Sequence, residues 1–508
     1  MSPAARRAFW LVVVVDVLRV AGAVPLGLGD AEALYAGYAR HLQGGYLDHP
    51  PLIGWLDAGV LAVWPSAIAL RLLALALFTV SAWLLFRLAR DLFDERAALG
   101  SVAILCVAPV FHLGGLAAAP DAPLVPLWLL LLLAVWRAWR RVREAPVPSW
   151  GWVVSRSAGL GLLLGAAFLA KYSALALAPV LVLAAWPLPR PRRLAAGLIG
   201  ASAASVAAWP VVAWNAAHGF ASAAHRLIWS QPDPGVSLRN LGALLGGQLL
   251  YLSPLVAVGF GWVVVRTWRR RNESAEGFCL AASLAPFALL GAVCLWSRVA
   301  EPHWPVPAYL ALLPLAGRMA AEGGRAVVRF AKAALGVAVA FDMMVYVAVL
   351  TPVLPALVPE PVYVARDDIV NELYGWERVA GAVVRRLPAG GVVVGGHYTM
   401  CGQLEWNLRD AGLPVACWTK ERSDFDVWNP GGPATWGKPV LFVSDERYPE
   451  RPVPGCGREP PAPAETVEVE RGGVVVRRFR LTSYTPGEMA WPRNGGRVPC
   501  GAAPSGSN

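Results

Sequence analysis

The sequence predicts a polytopic α-helical membrane protein of about eleven transmembrane helices, followed by a C-terminal extracytoplasmic α/β domain. Three observations predict it. Hydrophobic residues make up 56% of the 508-residue chain and charged residues 16%, against about 25% charged in an ordinary soluble domain. The charge is also unevenly placed. Residues 1–350 carry 28 basic and 16 acidic side chains, whereas residues 351–508 carry 17 and 18. Finally, apolar stretches long enough to cross a bilayer core recur through the first part. This composition argues against a disordered chain or a nucleic-acid-binding module. The formal net charge of +11 belongs to the membrane part and reports topology.

The apolar stretches are 8–28, 66–86, 97–116, 122–136, 153–170, 173–187, 194–214, 241–265, 278–297, 305–320 and 326–350. Between them cations cluster in every second loop: Arg6 and Arg7, Arg87 to Arg96, Arg137 to Arg143, Arg190 to Arg193, Arg266 to Arg271, and Arg318 with Arg325. The positive-inside bias puts these loops and the N-terminus in the cytoplasm. The loops 29–65, 117–121, the junction near 171, 215–240 and 298–304 then face outward, with everything after 351. Arg6 and Arg7 before an apolar run fit a signal peptide, but ten further stretches follow, so the first is read as an uncleaved span. Asp16 and Arg19 inside it are spaced i,i+3 and are expected to pair.

The chain divides into a membrane domain, 1–350, an outward α/β domain, 351–490, and a Gly-, Pro- and Ser-rich end, 491–508, expected to be disordered. Residues 372–387 have helical periodicity. Short β-rich runs follow at 391–395, 413–417 and 439–443, and residues 465–482 alternate around Gly472-Gly473 like a hairpin. Cys106, Cys279 and Cys294 lie in spans and act as small apolar residues. Cys401, Cys417, Cys456 and Cys500 lie in the outward domain, where an oxidising compartment permits disulfides, with the pairing open.

The outward loops hold few charged residues. The first contains Asp30, Glu32 and Tyr35, then Asp48 and His49. Two acids directly after a span suit a general base at the membrane surface. They equally suit a helix start, with Asp30 as N-cap of a helix over 31–43 and Glu32 in its first turn. Asp121 stands at the lip of the fourth span, as a cap or as part of a site. Lys171, between two spans, either snorkels or supplies a fixed cation for a phosphate. Asn215, His218, His225 and Arg226 follow, and the last outward loop offers Arg298, Glu301, His303 and Trp304. Acids in such a set deprotonate a hydroxyl, and cations neutralise a phosphate leaving group. Asp30, Glu32 and Asp48 could also gather a divalent cation; no other cofactor is indicated. GxxxxGK[ST], a post-strand GxGxxG and Gly-x-Ser-x-Gly are absent, which disfavours a nucleotide-dependent enzyme.

The segment Tyr46–Leu52, YLDHPPL, resembles the first external loop of bacterial members of glycosyltransferase family 39, relatives of protein O-mannosyltransferases and of the aminoarabinose transferase that modifies lipid A. Further similar stretches follow in order: Pro120–Leu124, Leu169–Tyr172, Trp214–Phe220, Glu301–Pro305, Leu373–Trp376 and Asp424–Trp428. The resemblance covers about residues 8–445 and implies a GT-C fold. Aligned without gaps from His49, Glu32 meets the family's Glu, while Ala31 meets its Asp and Asp30 sits one position earlier. The resemblance therefore implies a base at Asp30 or Glu32, with Asp121 helping to position the reacting groups. It implies lipid-phosphate contacts at His49, where the aminoarabinose transferase has Lys, and at Lys171, with Arg298 and His303 as further contacts. Tyr35, Asp48, Asn215, His218 and Trp304 are further site candidates. The implied reaction moves a sugar from a polyprenyl-phosphate donor to a hydroxyl of an envelope lipid, glycan or protein, with inversion, at the outer face of the inner membrane. A transporter or flippase of lipid-linked sugars competes, but it should show internal repeats and midplane polar sites, which the sequence lacks. An inactive relative that binds such substrates is a third reading.

Overall fold

The computed structural model describes residues 1–485 except 145–146, 232–233, 272–273, 298–300, 360–361, 420–421, 430–436 and 450–461. The stretch 491–508, with its expected disorder, lies outside the described residues, as do Cys456 and Cys500. The chain forms two units. The first is Met1–Val24 with Gln43–Val345; the second is Pro25–Leu42 with Tyr346–Asn508. Residues 25–42, read from the sequence as a loop of the membrane domain, are thus grouped with the second unit.

In the first unit every expected apolar stretch is helical over most of its length. Five helices are long and apolar enough to cross a membrane: Ala67–Leu92, Asp121–Glu144, Trp150–Ala170, Ser274–Trp296 and Arg325–Leu350. Two bent pairs raise the number to seven among the described residues: Arg190–Ala207 with Trp209–Ala217, at 60°, and Leu238–Leu252 with Pro254–Trp268, at 108°. About eleven spans are expected; of the four stretches outside these seven, 97–116 is interrupted at Pro109, and 173–187 and 305–320 open on 3₁₀ turns. Pro109, Pro210 and Pro254 each stand at the start of a new helix. Proline lacks an amide donor and disfavours helix at the residue before it. At the sharper bend Ser253 adopts φ +68°, a strained backbone for a residue other than glycine. The helix Pro3–Ala23 carries the expected pair, Asp16 with Arg19 at 3.0 Å. Arg19 also donates to the Phe111 carbonyl, and Asp16 accepts from Thr79, so the two charges are held in a network.

Helices Trp150–Ala170 and Arg190–Ala207 pack through glycine. A Cβ on Gly161 would lie 2.1 Å from the Gly200 carbonyl oxygen. Lipid supplies no hydrophobic drive between helices, so small residues that let backbones touch supply the packing.

The second unit holds a five-stranded sheet in the order β2-β1-β3-β5-β4. Its strands are β1 (Val392–Gly395), β2 (Val415–Cys417), β3 (Val440–Ser444), β4 (Glu465–Arg471) and β5 (Val474–Tyr484). β1 runs parallel to β2 and β3, and β5 antiparallel to β3 and β4. The strands fall on the runs read from the sequence. Gly472 and Gly473 turn the β4–β5 hairpin at φ +62° and +80°, the backbone a two-residue hairpin turn of this kind requires. The helix Trp376–Arg386 buries Trp376, Val379, Ala380 and Val383, the i, i+3, i+4, i+7 stripe of an amphipathic helix, against Leu441 and Phe479 in one core. The helix Tyr398–Asn407 links β1 to β2, and the disulfide Cys401–Cys417 ties it to β2. The helix Asp30–Arg40 packs on it so closely that a Cβ on Gly402 would lie 3.0 Å from the Leu34 backbone.

Candidate active site

Asp30 and Glu32 divide the two roles open to them. The helix they start runs Asp30–Arg40, and its N-cap is Gly29, so the expected cap at Asp30 and helix over 31–43 are corrected. Glu32 does the capping: its carboxylate accepts the Gly29 amide at 2.9 Å, the reach-back bond of a capping box. Asp30 is thereby left for other partners. It is 4% exposed, accepts from Gln403 Nε2 at 3.0 Å and lies 3.8 Å from Arg447 Nη1. Arg447 is shared with Glu372 at 2.6 Å. Burial, and next the Glu372 charge, push the Asp30 carboxyl up to about 6 against the pull of Arg477, Gln403 and Arg447. A carboxyl in that range is a better proton acceptor near neutral pH than an ordinary aspartate.

Tyr35 is buried edge-on to Tyr38, whose hydroxyl donates to Asp424 at 2.9 Å. At the far end of the helix His41 stacks on Trp428 and bonds Glu405 at 2.7 Å. Gln403, Glu372 and Arg447 carry no sequence signal for this role. They are more than 340 positions from Asp30 and belong to no spaced motif.

In the first unit Lys171 occupies the joint between the helix Trp150–Ala170 and a 3₁₀ turn over Tyr172–Leu177, with extended backbone. Its Nζ donates to Asp121 Oδ2 at 2.7 Å. Lys171 closes a helix C-terminus and Asp121 opens the helix Asp121–Glu144, so each charge also suits its helix dipole. Lys171 is buried, whereas the Asp121 side chain is 38% exposed. It is therefore a held cation with an accessible counter-ion, not a lysine reaching for water.

Around this pair the structure gathers several of the other candidates. His303 interacts electrostatically with Asp121 and lies 3.6 Å from Glu301. The His303 imidazole holds the Glu301 carboxyl below its ordinary value against burial. His49 feels the charges of Asp48, Arg226, Lys171 and Asp121. Burial first, then Arg226, lowers its imidazole to about 3, so it is neutral at physiological pH. A neutral His49 can still contact a phosphate by hydrogen bonding, and Arg226 is a neighbouring cation.

Asp48 accepts from His225 at 3.0 Å, and Arg226 donates to the Asp48 carbonyl at 2.5 Å. Burial alone would raise Asp48, but the His225 bond and the Arg226 charge hold it well below the carboxylate range. His225 and Arg226 stood in the outward loop without an assigned role; the π-helical turn His225–Trp229 presents them.

Asn215 and His218 shape the loop. Asn215 donates to the Val211 carbonyl and accepts from Ser222, whose hydroxyl bonds the Tyr46 carbonyl. His218 bonds the Trp214 carbonyl and stacks on the Trp214 ring at 4.3 Å. Trp304 is half-buried and donates its amide to the Glu301 carbonyl. Arg298 lies outside the described residues. Among the described residues no three His, Cys, Asp or Glu side chains are placed to hold a metal ion. Glu32 accepts the Gly29 amide, and Asp48 accepts from His225.

A cavity of about 510 Å³ opens beside the pair. Its walls are apolar, including Phe78, Leu105, Phe111 and Phe341, and its polar lining includes Asp121, Tyr251 and His303.

Residues 48–214 match a family described as dolichyl-phosphate-mannose-protein mannosyltransferase. The lipid A galacturonosyltransferase RgtD of Rhizobium johnstonii is 26% identical over 292 residues, 55% of this chain and 58% of that protein. The aligned stretch thus spans little more than half of the relative's length. ArnT from Cupriavidus metallidurans, solved bound to undecaprenyl phosphate, superposes with a TM-score of 0.61 at 15% identity over 94% of this chain and 97% of that one. Its apo form gives 0.60 at 16% identity over 95% and 98%. The chain thus has the fold of ArnT.

Proposed function

We propose that the chain is a membrane glycosyltransferase that moves a sugar from a polyprenyl-phosphate donor to a hydroxyl of an envelope acceptor, with inversion. The observation that carries the reading is the buried Lys171 paired with Asp121 where an apolar cavity meets Asp121 and His303. A cation held in place by its counter-ion beside an apolar space suits a lipid phosphate, whose oxygens accept charge-assisted hydrogen bonds. The undecaprenyl phosphate named for ArnT supports the donor, and the lipid A named for RgtD supports a lipid acceptor.

In this reading the cavity takes part of a lipid chain, and Lys171 with Arg226 steadies the phosphate as it leaves. Neutral His49 contributes hydrogen bonding. The acceptor hydroxyl attacks the anomeric carbon, the bond from that carbon to the phosphate oxygen breaks, and polyprenyl phosphate departs. The hydroxyl proton goes to a carboxylate, the role the sequence motifs give Asp30, while Glu32 keeps the helix start in place. Binding donor and acceptor together supplies much of the rate. The eleven-span topology, with the second unit outside the cytoplasm of a bacterial inner membrane, belongs to the same proposal. The disulfide Cys401–Cys417 supports that side, since such bonds persist in oxidising compartments.

The test is mass spectrometry of envelope lipids, glycans and proteins from cells with the gene, without it, and with Lys171→Ala. One fraction should lose a sugar mass in the last two strains. Identical envelopes in all three would overturn the reading.

A further inference from the structure

The second unit carries a polar cavity of its own, of about 410 Å³. It lies where the chain leaves β3 through Glu446 and Arg447 and enters β5 at Val475–Arg478, beside Tyr363, Asn371 and the turn Ala365–Asp367. Open α/β sheets bind ligands outside the carboxyl ends of their parallel strands, and β3 is parallel to β1. Four arginines line the cavity, Arg366, Arg447, Arg477 and Arg478, against one carboxylate, Glu446. That carboxylate already accepts the Arg478 amide at 2.9 Å.

Arg477 points to a ligand. It is 4% exposed, and its Nε donates to Asp445 at 2.6 Å. Its guanidinium lies over the rings of Trp376 and Phe479, 4.7 and 4.4 Å from their centroids. Yet Nη1 and Nη2 have no hydrogen-bond partner among the described residues. Ring faces answer the charge, but they leave the N–H groups of a buried guanidinium without acceptors, which is unfavourable until an acceptor arrives. Arg366 and Arg478 are 64% and 49% exposed, and each meets a carboxylate through Nε. Arg447 is already engaged with Glu372 and the Arg366 carbonyl, so it shapes the wall.

We infer that this cavity binds an oxyanion, a phosphate or carboxylate group carried by the acceptor, and that the second unit selects the acceptor by that charge. Arginine forks match the planar and tetrahedral faces of such groups. Arg447 walls this cavity and lies 3.8 Å from Asp30, so the anion site adjoins the proposed proton acceptor. The acceptor assignment rests on the transferase reading; anion binding does not.

The test uses full-length protein in dodecyl maltoside, carrying Lys171→Ala so that the lipid-phosphate site does not contribute. Radiolabelled inorganic phosphate in equilibrium dialysis should bind saturably, and added Arg366→Gln with Arg478→Gln should weaken it by about tenfold, the worth of one charge-assisted hydrogen bond. Arg477→Lys, which keeps the charge and loses the fork, should weaken it too. Thermal melting checks folding, and the exposed double variant decides if Arg477→Lys unfolds. No saturable binding, or equal affinity in the double variant, overturns the site. In transfer assays with Lys171 restored, the double variant should raise KM about tenfold for an acceptor bearing a phosphate or carboxylate and leave kcat unchanged. Weakened phosphate binding with an unchanged KM would mean the site takes free phosphate, and would overturn the acceptor assignment. If the wild type transfers no sugar, the transferase reading fails while the dialysis result still decides the anion site.

Discussion

Replacing Asp30 by Asn should stabilise the protein at alkaline pH while removing its activity. The structure gives both signs. Asp30 is raised from 3.8 to about 6, mainly by burial and by Glu372. A carboxyl raised in the folded state contributes stability below its unfolded value of 3.8, and that contribution is lost as pH rises through about 6. At pH 8 the ionised group therefore costs on the order of 3 kcal/mol relative to its neutral form, at about 1.4 kcal/mol per pH unit. Asn imitates the neutral form and still accepts from Gln403, so Asp30→Asn should gain up to about 3 kcal/mol at pH 8 and little at pH 4. The gain is reduced because the Asn amide turns two donors toward Arg447. A base typically contributes about 10²–10⁴-fold, so single-turnover transfer should fall by that factor, and the wild-type rate should decline below about pH 6. Denaturant unfolding at pH 4 and pH 8 with transfer assays on one preparation measures both effects. Wild-type turnover in Asp30→Asn would remove the base. A stability loss equal at both pH values would mean that the carboxylate is needed for packing, and the trade-off argument would fail.

Lys171→Ala should abolish donor use, and Lys171→Arg should retain more, because it keeps the charge and changes the geometry; equal transfer by Lys171→Ala and wild type would leave the lysine a structural role alone. Asp48→Asn should cost about 1–3 kcal/mol, since it weakens the hold of His225 and Arg226 at once, with thermal melting as the readout. Cys401→Ser with Cys417→Ser should cost about 3 kcal/mol for a loop of this length. Reductant should lower the melting temperature of the wild type alone.

Much of the fold is written locally. The strands and the amphipathic helix at Trp376 follow from period and turn chemistry, and Gly472-Gly473 marks its hairpin because few other residues accept positive φ. The breaks in the membrane helices were less legible. Pro109 and Pro254 lie inside otherwise continuous apolar runs, and hydropathy alone does not resolve a bend. At the site, the pairing of Lys171 with Asp121 joins two residues already singled out. The partners of Asp30 were not legible, because Gln403, Glu372 and Arg447 are brought to it by tertiary packing. The neutrality of His49 was hidden for the same reason: it follows from burial and from Arg226, which no local pattern shows.

The most direct measurement follows a labelled sugar from a polyprenyl-phosphate donor into an envelope extract with purified protein. The account predicts label on one acceptor fraction, an equal release of polyprenyl phosphate, and at least a hundredfold loss with Lys171→Ala, roughly the scale of removing one preorganised electrostatic contact to a developing charge. Label that stays on the donor with folded wild-type protein, or moves equally well with Lys171→Ala, would contradict it.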